Sequence, residues 1–405
     1  MLNRQVMQQA FENYFNGKPV FIVCAPGRVN LIGEHTDYNE GFVLPMAIDH
    51  AVWIALRPRD DSVVRIHSLD ASTALSANQK RAADFELDSL SKGEGWVEYL
   101  KGVAHELQID NYKLGGWEGV MAGDVPIGAG LSSSAAVELA TSRAFGCVSN
   151  FEWDAVKMAK IGQRAENHWV GVNCGIMDQM ASAASKAGHA LFLDCRSLEI
   201  QHIPMPADVA VVVMDTSTRR GLVNSAYNER RSQCEEAARH FGVKALRDVS
   251  VNEFEERGKR RPATKGSVEG KREERREKRE VNDAVWRRAR HIITENQRVL
   301  DAITAMQAGD IKTVGKLFNE SHASLRDDFE VTNEALNQIV EFALEQEACY
   351  GARMTGAGFG GCAVALVEKE KAQSFAEAVS TAYRQRSGLE ASVYVCQASE
   401  GASVV

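Results

Sequence analysis

Apolar residues recur at helical spacing over residues 5–15, which predicts an amphipathic helix at the N-terminus. The run from Val20 to Cys24 predicts a short buried strand, ended by Ala25, Pro26 and Gly27. Ala51 to Leu56 reads as another strand, closed by the charged turn from Arg57 to Asp61. Helical spacing returns over residues 96–107, and Val120 to Ala122 predicts a strand leading into a loop from Asp124 to Gly130. Helices are expected at 132–145, 152–167 and 175–186, and strands at 190–194 and 209–214. The second half carries helical stretches at 224–240, 284–308 and 334–346, then a glycine-rich turn at 356–361 and a strand from Cys362 to Val367. Strands mix with helices in no strict alternation, which favours an α+β fold over a doubly wound sheet. No internal repeat is visible.

Length and composition narrow the class. The 405 residues exceed one ordinary core, so two domains are expected. A net charge of -8 argues against a general nucleic-acid binder and favours a small-molecule ligand. The eight cysteines are scattered with no Cys-x-x-Cys pair, so zinc clusters and thioredoxin-like chemistry lack their usual spacing. Free thiols in a reducing compartment are the simplest reading. No apolar run approaches the roughly 20 residues needed to cross a bilayer. Met1 to Phe15 lacks the apolar centre of a signal peptide, so a cytoplasmic location without membrane association is expected. Residues 255–280 stand apart, with eleven Lys/Arg against seven Asp/Glu, and read as a solvated surface insertion rather than a polyanion-binding arm.

Three stretches carry candidate chemistry. The segment from Ala25 to Tyr38, with Arg28, Glu34, His35, Thr36 and Asp37, offers donors and acceptors that suit a polyol, although a charged loop is also an ordinary solvated loop. The segment from Asp124 to Ala136 joins a strand to a helix through small residues, which lets backbone N–H groups close around an anion at a helix N-terminus. It lacks the Walker A lysine and the Gly-x-Gly-x-x-Gly spacing, and taken alone reads more readily as a serine-capped helix start. Glu166 and Asp178 lie close enough in sequence to share a site, but read alone also as helix-surface and helix N-terminal acids.

The segment GRVNLIGEHTDY resembles the galactokinase signature, and PIGAGLSSSA resembles the ATP motif of the GHMP kinases. CGIMDQ, from Cys174 to Gln179, is similar to the galactokinase segment whose aspartate approaches the sugar C1 hydroxyl. The resemblance implies that Asp178 and Arg28 are catalytic, and that Glu34, His35, Thr36, Asp37, Gly175 and Tyr227 bind galactose. It further implies that Gly128, Ala129, Gly130, Leu131, Ser132, Ser133 and Ser134 wrap the triphosphate of ATP. By the same likeness Ser134 and Glu166 hold Mg²⁺, and Trp96 lies near adenine, where a buried structural tryptophan is an equal reading. The motif from Arg353 to Cys362 looks like the C-terminal GHMP motif and is expected to shape the cleft. The resemblance runs along essentially the whole chain, with 255–280 the main departure. It implies a two-domain GHMP kinase fold: residues 1–205 like the second domain of ribosomal protein S5, and residues 206–405 ferredoxin-like, with the C-terminal tail packed back on the first domain. The expected partners are galactose and ATP, with no nucleic acid, and the expected assembly is a monomer or weak oligomer. Transfer of the ATP γ-phosphate to C1 of galactose is the implied activity. The alternatives are a kinase for N-acetylgalactosamine or another sugar, and a catalytically silent galactose and ATP sensor.

Overall fold

Residues 2–69, 81–126, 128–218, 223–259 and 282–405 are described by the structure, a computed structural model. The strands are β1 (Phe21–Asn30), β2 (Phe42–Val43), β3 (Pro45–Pro58), β4 (Val63–Ser68), β5 (Ala82–Glu86), β6 (Trp117–Gly123), β7 (His189–Asp194), β8 (Ile200–Pro204), β9 (Val209–Asp215), β10 (Cys349–Thr355), β11 (Cys362–Glu368), β12 (Ser392–Cys396) and β13 (Ser403–Val404). The helices are α1 (Arg4–Tyr14), α2 (Val97–Ile109), α3 (Ser133–Ser149), α4 (Ala155–Arg164), α5 (Met177–Ala184), α6 (Val223–Phe241), α7 (Val251–Lys259), α8 (Asp283–Gln307), α9 (Ile311–Asp327), α10 (Glu334–Leu344) and α11 (Ala372–Ser387).

A six-stranded sheet runs β13-β1-β3-β6-β4-β5, with β4 and β6 the parallel pair. Strand alternation sends its two faces to different cores. Val23, Ile54, Leu56 and Met121 point into the main core with α2 to α5, while Ile22, Ala55, Val120 and Ala122 pack under Met7 and Phe11 of α1. A four-stranded antiparallel sheet has the order β10-β11-β9-β12, which is the ferredoxin-like arrangement of four consecutive strands. Val212, Met214, Ala363 and Ala365 face α10 and α11, whereas Val211, Val213, Val364 and Leu366 join the main core. A three-stranded sheet, β2-β7-β8, lies beside them. The fold is α+β, as expected, and no helix among the described residues is long and apolar enough to cross a membrane. The C-terminal residues do return to the first sheet, with Val404 opposite Val23.

Two expectations need correction. Strand β1 does not stop at Ala25-Pro26-Gly27 but continues to Asn30. Its pairing with β3 jumps from Pro26↔Ala51 to Arg28↔Ala47, so Ile48, Asp49 and His50 bulge opposite Gly27. Proline has no N–H to lose at such a break, and Arg28 N donates to Leu131 O instead. The charged stretch also begins later than its composition suggests. Residues 255–259 finish α7, anchored by buried Phe254, whose ring stacks on Trp286 at 4.5 Å. Residues 260–280 lie outside the described residues.

Candidate active site

The end of β1, the loop after it and the N-terminus of α5 converge on a cavity of about 230 Å³, and the glycine-rich loop meets this wall through Arg28 and Asp178. Arg28, near the end of β1, reaches Asp178 in the first turn of α5 across 150 positions of sequence. Its Nε donates to Asp178 Oδ1 at 2.8 Å and its Nη2 lies 2.6 Å from the same oxygen. Nη1 donates to Gly130 O at 2.6 Å, which ties the pair to the glycine-rich loop. Asp178 Oδ2 accepts the Ser132 hydroxyl at 2.5 Å. Ser132 sits at φ 59°, before α3, and its hydroxyl turns to Asp178 rather than capping the helix.

The loop from Gly33 to Asp37 is held from behind. Glu34, 2 % exposed, accepts four hydrogen bonds: from Arg353 Nη2 at 2.8 Å, Asn30 Nδ2 at 2.5 Å, Thr355 Oγ1 at 3.0 Å and Gly356 N at 2.6 Å. Arg353 itself is fully buried. His35 takes φ 65°, a conformation that non-glycine residues adopt rarely and mostly where surrounding contacts impose it. Its Nδ1 pairs with Tyr38 Oη at 2.9 Å, and its ring meets Tyr227 at 5.7 Å. Burial, then the positive surroundings, lowers its pKa to about 3, so the ring is neutral near pH 7. Asp37 faces Gly175 so closely that a Cβ there would lie 1.8 Å from Asp37 Oδ2. Burial first, and then the charges of Asp178 and Glu34, raise the Asp37 pKa to about 6.

Glu34, His35, Asp37, Gly175, Asp178, Arg28, Tyr227 and Glu166 all line the cavity. Thr36 does not: it is fully buried, and its hydroxyl faces the carbonyls of Gly33 and Phe42, at 2.8 and 2.6 Å. Its side chain therefore shapes the loop from behind the cavity. Trp96 precedes α2, half-buried against the main core, and does not line this cavity.

In the glycine-rich loop, Gly128 (φ 70°) and Gly130 (φ 76°) supply left-handed turns, and a Cβ on Gly130 would meet nothing within 4 Å. Ala129 and Leu131 bury their side chains in the core, leaving backbone and serines toward the loop's open side. Ile127 lies outside the described residues. Ser133 and Ser134 open α3. Glu166 lies in a π-helical turn, Ala165–Val170, that follows α4. Its carboxylate accepts Gln179 Nε2 at 2.8 Å and pairs with the Ser134 hydroxyl. Burial, followed by the charge of Asp178, raises its pKa. A buried carboxylate and a hydroxyl side by side are hard oxygen donors that fit a Mg²⁺ ion.

Sequence reasoning missed the supports. Arg353 and Thr355 lie in the glycine-rich C-terminal motif, so their position was visible, but their bond to Glu34 was not. Glu295 of α8 accepts Gly33 N at 3.0 Å, and His291 Nε2 pairs with Glu34 O at 3.1 Å. Nothing local in the pattern of α8 marks either residue.

Two family models, GHMP kinases N terminal domain and GHMP kinases C terminal, match residues 98–186 and 302–385. With a ferredoxin-like sheet beside the glycine-rich loop, they define a GHMP-class kinase. A third model, the galactokinase galactose-binding signature, matches residues 9–58. A galactokinase from Roseiflexus sp. (strain RS-1) is 41% identical, over 99% of this chain and 97% of its own. The crystal structure of Lactococcus lactis galactokinase complexed with galactose superposes with a TM-score of 0.86 at 35% identity, covering 98% of each chain. Methanococcus jannaschii mevalonate kinase, at 16% identity and a TM-score of 0.63 over 95% of this chain and all of its own, shares the fold. The chain belongs to the galactokinase family.

Proposed function

We propose that the chain transfers the γ-phosphate of Mg-ATP to the C1 hydroxyl of galactose, giving galactose 1-phosphate and ADP. The single observation that carries this reading is the Arg28–Asp178 pair, set between the polyol-type pocket and the glycine-rich loop. Asp37, neutral His35 and the Gly175 backbone bind the sugar hydroxyls, and Tyr227 closes over the ring. Glu34 braces this loop and presents its carboxylate edge to the pocket. The backbone from Gly128 to Ser134 holds the triphosphate at the N-terminus of α3. Ser134 and Glu166 would hold Mg²⁺, which offsets phosphate charge when bound.

The sugar groups aim O1 at the phosphorus, and positioning accounts for much of the rate. Asp178 accepts the C1 proton, held in orientation by Arg28 and Ser132. Arg28 offsets charge on the transferring group. Trp96 is assigned to the neighbourhood of adenine by resemblance alone. The same reading divides the chain near residue 205 and places the reaction in a cytoplasmic monomer or weak oligomer.

A coupled ADP-release assay with galactose, glucose and N-acetylgalactosamine tests it, run beside Asp178→Asn. Galactose is expected to turn over best, and the variant to lose at least about 100-fold in kcat while still binding galactose. Preferred N-acetylgalactosamine, or an unimpaired variant, overturns the reading.

A further inference from the structure

The bulge in β3 does something that regular pairing does not permit. Consecutive residues of a strand point to opposite faces, yet one ligand atom each from Asp49, His50 and Cys396 lie within 4.8 Å of one another. The three residues opposite Gly27 turn Asp49 and His50 to the same side, toward the end of β12. The C-terminal segment is pinned there: Gln397 N donates to Asp49 Oδ1 at 3.0 Å, the Ser399 hydroxyl donates to Ile48 O at 2.7 Å, and Ile48 bridges Ala398. Cys396 forms the buried floor, 3 % exposed, while the side chains of Asp49 and His50 are 28 and 20 % exposed, leaving an entry path. His50 Nδ1 is buried and faces Asp49 Oδ1 at 3.8 Å, beyond hydrogen-bond distance and an ion-pair contact only when the ring is protonated, so no hydrogen bond holds it.

We propose that Asp49, His50 and Cys396 form a binding site for a borderline divalent metal of the Zn²⁺ class, which clips β12 to the β3 bulge. The donor set is one thiolate, one imidazole and one carboxylate, with the open side left for water, a three-ligand pattern that zinc accepts. Tetrahedral coordination needs ligand atoms about 3.5 Å apart, a contraction within reach of side-chain rotation. On binding, the Cys396 thiol loses its proton to solvent and the sulfur–metal bond replaces the S–H bond; no oxidant or reductant is involved. Alternating spacing hides this site in the sequence, because Cys396 lies 346 positions from His50 and the bulge alone brings Asp49 and His50 together.

The test uses the full chain and Co²⁺ as a spectroscopic stand-in, since thiolate coordination gives a near-ultraviolet charge-transfer band. Wild type is expected to bind one equivalent with that band, to lose the band in Cys396→Ser, and to bind at least about tenfold more weakly in His50→Gln. Cys174 lies 3.4 Å from Glu166, so Cys174→Ser is the control for binding at the kinase site, and the band is expected to survive it. Zn²⁺ should raise the melting temperature of wild type by more than that of His50→Gln at the same metal concentration, a readout that does not require Cys396→Ser to fold. No thiolate band in wild type, a band retained in Cys396→Ser, a band lost in Cys174→Ser, or equal stabilisation of His50→Gln each overturns the site.

Discussion

At Gly175 the backbone lies against the Asp37 carboxylate with no room for a methyl group. Gly175→Ala is therefore expected to push Asp37 out of position and raise KM for galactose by about tenfold or more, with little change in melting temperature. Steady-state kinetics beside a thermal melt separates this from misfolding. Asp37 also sets a pH limb. Its pKa in the free protein is raised to about 6, so the carboxylate is ionised, and able to accept from a sugar hydroxyl, only above that pH. Galactose kcat/KM should fall as pH drops through about 6, and the limb should vanish in the residual activity of Asp37→Asn. At this scale much was legible, because residues from Arg28 to Asp37 lie in one contiguous motif. Thr36 shows the limit: whether a side chain in that motif faces ligand or backbone depends on the turn it closes, and residue type does not reveal it.

Among the elements, helices α1 to α6, α8 and α10 and strands β1, β3, β6, β7, β9 and β11 were foreseen, at least in part, from apolar spacing. Strands β4 and β5 were not: Val63 to Ser68 is a six-residue stretch interrupted by Arg65 and His67, and Ala82 to Glu86 buries Phe85 alone. Helices α9 and α11 and strands β10 and β12 were also missed, although α9 is amphipathic, burying Val314, Leu317, Phe318 and Leu325, and Asp310 caps its first turn. Yet β10 carries Arg353, which neutralises buried Glu34, and α9 carries Ser321, whose hydroxyl donates to Glu295 at 2.7 Å. Arg353→Met leaves the Glu34 charge buried without its partner and is expected to cost about 3–5 kcal/mol. Urea unfolding measures this, with Arg353→Met combined with Glu34→Gln expected to recover part of the loss.

Over the whole molecule, the last eight residues tie the segment after β12 to the six-stranded sheet and to α5. Ser399 N bonds Ala47 O, Gly401 N bonds Ser185 O, Ala402 N bonds Ser182 O and Val405 N bonds Ile22 O. Truncation after Gln397 removes these four, the β13 pairing, and the bonds to Ala398 O and from the Ser399 hydroxyl, so at about 1 kcal/mol each a loss of at least roughly 5 kcal/mol is expected, read as a lower midpoint in chemical denaturation. Turnover should fall too, because the segment around Ser182 continues the helix that carries Asp178. The sequence alone determined the chemistry available to this protein: which short segments hold polar groups for a sugar, where small residues let backbone face an anion, and which acids stand near them. Those are local facts, written within a dozen residues. Tertiary structure decided which of these groups meet, since the Arg28–Asp178 pair, the Glu34 cage and the Asp49–His50–Cys396 cluster depend on strand register, one bulge and packing between segments far apart in the chain.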